Sequence, residues 1–62
     1  MAVTEQIIKV VERGRKLGLT KAALDQMLCA IGCVRVVHQK DGLIAYYYDQ
    51  DGQERFLICT LR

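Results

Sequence analysis

The chain has no proline and no apolar run that approaches the roughly 20 residues needed to cross a bilayer. With 52% hydrophobic and 26% charged residues beside it, the missing proline argues against a disordered segment or an extended linker. The second absence excludes a membrane-spanning role. Cysteine is scarce and odd in number: Cys29, Cys33 and Cys59 cannot pair off into a disulfide framework, and the opening MAVTEQIIKVVERGRK lacks the apolar core of a signal peptide. A reducing cytoplasm is therefore the expected compartment. Paired carboxylates, a nucleophile with an orienting base and a phosphate-cradling glycine loop are missing too. So small a fold has little room for a substrate pocket, and we expect no catalysis, no cofactor and no small-molecule substrate.

What is present is a single 62-residue domain rich in apolar side chains. A chain of this length hides only about 60% of the surface it exposes when unfolded, so its stability as a lone monomer is marginal. Without disulfides, the apolar excess points to oligomerisation. The net charge of +2 is too small to argue for nucleic acid, but its distribution is uneven. Arg13, Arg15, Lys16 and Lys21 fall in the acid-free stretch RGRKLGLTKAAL, whereas Asp41, Asp49, Asp51 and Glu54 gather near the two later Asp-Gly pairs.

The hydrophobic periodicity predicts a helical hairpin over residues 3–32. Thr4 is placed to cap the first helix, and Val3, Ile7, Val10, Val11 and Leu17 form its apolar stripe. Gly14 interrupts that stripe at a cost of about 1 kcal/mol against alanine, which predicts fraying between Arg13 and a left-handed cap at Gly18. Thr20 caps the second helix, Leu19 and Leu24 form a hydrophobic staple, and Leu24, Met27, Leu28 and Ile31 make its stripe up to the stop at Gly32.

From Cys33 the period changes to that of strands, and a β-meander is expected over 33–61. Asp41-Gly42 and Asp51-Gly52 are favoured two-residue hairpin turns. They set Val37 opposite Tyr46 and Arg35 opposite Tyr48, then Tyr48 opposite Arg55 and Tyr46 opposite Leu57. The second register also opposes Asp49 to Glu54, a like-charge pair that a longer loop would relieve. In this register Val34, Val36, His38, Ala45, Tyr47, Phe56 and Ile58 face the helices. Val37, Ile44, Tyr46, Leu57, Cys59 and Leu61 lie on the uncovered face, bordered by Arg35, Tyr48, Arg55 and Gln39.

The expected architecture is thus α+β, two helices on one face of a three-stranded antiparallel meander (ααβββ), dimeric through the uncovered face or the edge of the third strand. Cys29, Cys33, Cys59 and His38 have the atom types of a zinc site, but their spacing argues for buried cysteines and no metal. Two functions follow. The first is a small homodimeric transcription regulator that contacts nucleic acid, DNA first, through Arg13, Arg15, Lys16, Lys21 and Arg35 at a basic helical corner. The alternative is a protein-binding module or inhibitor that uses Val37, Ile44, Tyr46, Tyr48, Arg55, Leu57, Cys59 and Leu61.

Overall fold

The computed structural model describes residues 3–61, which form helices α1 (Val3–Leu17) and α2 (Lys21–Ala30) and strands β1 (Arg35–Gln39), β2 (Gly42–Tyr48) and β3 (Glu54–Thr60). The strands make one antiparallel sheet in the order β1-β2-β3, and both helices cover the same face of it, α1 against β3 and α2 against β1. The class is α+β. No helix among the described residues is long and apolar enough to cross a membrane.

The helices follow the sequence pattern, with three corrections, the simplest being that Leu17, placed in the apolar stripe of α1, is exposed. Thr4 is already helical, so it lies inside α1 rather than at its cap. The helix also runs unbroken through Gly14, because that residue is a point of close contact: an added Cβ would stand 2.7 Å from Cδ1 of Leu24. The missing side chain lets α2 approach, and the packing gained there offsets the backbone entropy that predicted fraying. Gly18, with φ of 65°, ends α1 in the left-handed region, and the Leu19 N–H donates back to the Gly14 carbonyl at 3.0 Å. Thr20 caps α2 by accepting from the Ala23 N–H at 3.1 Å. At its other end, the N–H groups of Gly32 and Cys33 donate to the carbonyls of Cys29 and Leu28.

Both hairpins differ from expectation, and the differences have unequal consequences. In the first, Lys40 and Asp41 occupy the turn, with Gln39 opposite Gly42 and Arg35 opposite Tyr46. Neither turn residue has positive φ, so this is not the turn an Asp-Gly pair makes at a hairpin tip. Gly42 serves another purpose: a Cβ there would collide with the backbone carbonyl of Cys59 on the neighbouring strand. The register moves by two residues, which preserves the face of every β1 side chain relative to β2.

The second hairpin moves by one residue, and this turns β3 over. Its loop spans Asp49 to Gln53. The Asp49 side chain accepts from the N–H groups of Asp51 and Gln53 through Oδ1, both at 2.9 Å, and from Arg55 Nε–H through Oδ2 at 2.9 Å. Gly52 closes the loop at φ of 77°. Glu54 is then opposite Tyr48, Phe56 opposite Tyr46 and Leu57 opposite Ala45. The clash of Asp49 with Glu54 is gone.

The core follows from this register. Ile7 and Val11 of α1, Leu24 and Leu28 of α2, Cys33, and Leu43, Ala45 and Cys59 of the sheet are buried together, with Val36, Tyr47, Leu57 and Leu61 packed against them. Ala45, fully covered at the centre of β2, leaves room for the helices to approach the sheet.

Candidate interaction surface

The face of the sheet turned away from the helices is built from alternate residues of three strands, so its composition is fixed by register. Two complete cross-strand rows occupy its middle: Val37–Ile44–Ile58, and beside it Arg35–Tyr46–Phe56. In the second row the Arg35 guanidinium lies 4.2 Å from the centre of the Tyr46 ring, a cation–π contact. The Tyr46 and Phe56 rings are 6.0 Å apart and tilted by 46°, within the range of favourable aromatic pairs. Tyr48 extends the surface at one end, next to Glu54. Phe56 is 59% exposed and Ile58 64%, so these large apolar groups lack cover from the chain's own helices.

This surface has the apolar centre and arginine–tyrosine border expected of it, with some members exchanged. Val37, Ile44, Tyr46, Tyr48 and Arg35 lie where the sequence places them. Leu57, Cys59 and Leu61 do not: the one-residue shift of β3 sends them into the helix-facing core, and Phe56 and Ile58 take their place outside. Arg55 also leaves the outer face. It sits opposite Tyr47 and binds Asp49, and this contact raises the Arg55 pKa and, with the Gln53 N–H, holds the Asp49 carboxyl below the usual carboxylate range. Val34, expected under the helices, is exposed at the sheet margin.

The basic residues do not form one patch. Arg13 and Lys16 open onto a groove between α1 and α2, Arg15 lines the other side of α1 against β3, Lys21 stands near the β1–β2 turn, and Arg35 lies flat on Tyr46. Sequence proximity put them together; the 100° step of the helix spreads them apart.

Cys33 and Cys59 are buried, and burial pushes both thiols up; for Cys33 the neighbouring Cys29 and Cys59 add to the rise. Cys29 is exposed. His38 and Cys59 flank Leu43 on the same face of the sheet, contrary to the sequence register. Even so, no group of three or more His, Cys, Asp and Glu among the described residues is placed to hold a metal ion. His38 has a structural partner instead: its Nε2 lies 2.7 Å from Asp25 Oδ1 and ties β1 to α2, a contact between residues 13 apart that periodicity does not reveal.

Compared with protein-family models, curated proteins and solved structures, the chain matches none. The functional reading therefore rests on the geometry of these surfaces.

Proposed function

We propose that the protein is a small interaction module whose outer sheet face pairs with a second copy of the chain. The observation that carries this reading is the pair of rows Val37–Ile44–Ile58 and Arg35–Tyr46–Phe56, apolar or aromatic at every position except the β1 end of the second row, where Arg35 stands. A fully exposed aromatic side chain offers about 150–250 Å², so the partly exposed residues of this face together offer on the order of 500 Å². Two such faces bury about 1,000 Å², the threshold for a biological contact and the size of a weak, reversible interface. The patch is about a tenth of the protein's 4495 Å² surface, the share a standard interface occupies. A two-fold axis through the face sets Arg35 and Tyr48 at the rim, where a polar border belongs.

The nucleic-acid reading draws less support, because only Arg13 and Lys16 of its five residues share a groove, while Arg15, Lys21 and Arg35 lie on other parts of the surface.

Ile58→Lys tests the pairing. Each copy places one Ile58 in the contact, and losing about 1–2 kcal/mol of apolar burial per copy weakens the dimer roughly 30- to 700-fold. Sedimentation velocity should show a dimer for the wild type and a folded monomer for Ile58→Lys. A wild type that stays monomeric at all concentrations, or a variant that dimerises as before, would refute the proposal. Leu57→Lys is not an equivalent probe, since Leu57 packs inward and its replacement should unfold the chain.

A further inference from the structure

On the helical layer, across the sheet from the outer face, lies a surface that the pairing does not use. An open groove of about 550 Å³ runs between α1 and α2, lined by Lys9, Val10, Arg13, Lys16 and Leu17 of α1 and Met27 of α2, with Glu12 the one acid along it. Lys9, Arg13 and Lys16 recur at i, i+4 and i+7, so three cations stand in a row on one side of α1, and Val10 and Leu17 run beside them at i and i+7. None of the three cations is committed to an ion pair among the described residues. Leu17 is 66% exposed at the end of the row, uncovered by any part of the described fold.

We infer that this groove docks an acidic amphipathic helix of a partner protein. Lys9 to Lys16 spans about 10 Å, two helical turns, so a helix laid along it sets apolar side chains about a turn apart on Val10, Leu17 and Met27. Carboxylates flanking that stripe meet Lys9, Arg13 and Lys16, and the charge complementarity fixes orientation and excludes basic helices. A nucleic-acid backbone would satisfy the cations but leave the apolar floor unfilled. A second copy of this chain does not suit the groove: α1 would bring the same cations against it, and the described α2 segment, KAALDQMLCA, carries a single acid.

The test is fluorescence anisotropy with a labelled model helix about four turns long, leucines along one stripe and glutamates on both flanks. The peptide should bind saturably. Lys16→Glu should weaken it by about tenfold or more, Leu17→Ser should weaken it several-fold, and the same peptide with glutamine for glutamate should not bind. Both substitutions fall at exposed positions, and circular dichroism checks the fold; if either variant loses its helix signal, Lys9→Glu carries the same expectation. The Ile58→Lys protein should bind the peptide as the wild type does, so failure of sheet pairing and failure of groove binding read out separately. Affinity unchanged by Lys16→Glu or by Leu17→Ser overturns the inference. So does a DNA duplex or a phosphatidylserine vesicle that displaces the peptide at lower concentration than unlabelled peptide does.

Discussion

Replacing Gly14 by alanine should destabilise this protein, although the same change inside an exposed helix stabilises by about 1 kcal/mol. The new methyl carbon would stand 2.7 Å from Cδ1 of Leu24, well inside the ~3.5–4.0 Å of carbon–carbon contact. Leu24 is only 3% exposed, so its end cannot swing into solvent and the two helices must part or the core must repack. Such overpacking costs about 1–3 kcal/mol, which leaves a net loss near 1 kcal/mol after the helix-propensity gain. For a domain of this size the melting temperature should fall by about 4–8 °C, measured by circular dichroism at fixed protein concentration because self-association shifts it. Leu24→Val supplies the decisive background, since it withdraws the δ carbon from the contact. There Gly14→Ala should raise the melting temperature. A rise of equal size in both backgrounds would refute the idea that Gly14 is required by the approach of α2.

Two further predictions concern titration and reactivity. The Asp49 carboxyl is held below its ordinary pKa, chiefly by Arg55 and then by the Gln53 N–H, so its contribution to stability is present above the unfolded value of about 3.9 and is lost as pH falls through the lower folded one. Thermal melts of the wild type should therefore decline more steeply than those of Asp49→Asn below about pH 4; parallel declines would show that the loop contacts do not matter. Burial raises the Cys33 and Cys59 thiols, so the stability they confer is complete below their unfolded pKa and fades as pH rises through the folded values. Iodoacetamide at mildly alkaline pH should label exposed Cys29 first and reach the other two only on unfolding; equal labelling of all three, read by mass spectrometry, would contradict their burial.

The helices were legible in the sequence because their signals are local. Thr20 and the glycines at 18 and 32 act within one turn of themselves, and each takes its expected place. The continuity of α1 through Gly14 is not legible this way, because its reason lies on the other helix. The strands were legible as strands, and their order followed from short connections, but register depends on counting across turns. Each Asp-Gly pair suggested a two-residue turn, and neither makes one: Gly42 is needed inside a strand, and Gly52 closes a longer loop held by the Asp49 side chain. The first register shift is even and leaves the faces unchanged. The second is odd, and it exchanges Leu57, Cys59 and Leu61 for Phe56 and Ile58 on the outer surface. One signal did point to it, the opposition of Asp49 and Glu54. The scattering of the basic residues was hidden for a related reason, since neighbours in a helical sequence diverge around its axis.

The bare backbone at Gly42 ties the two sides of the molecule together. The strand it lets in carries Cys59 into the interior and, one residue earlier, Ile58 onto the outward platform, so any side chain at 42 would push both away at once. Variation can redecorate the platform residue by residue, but at this position the inside and the outside of the protein are inherited as one unit.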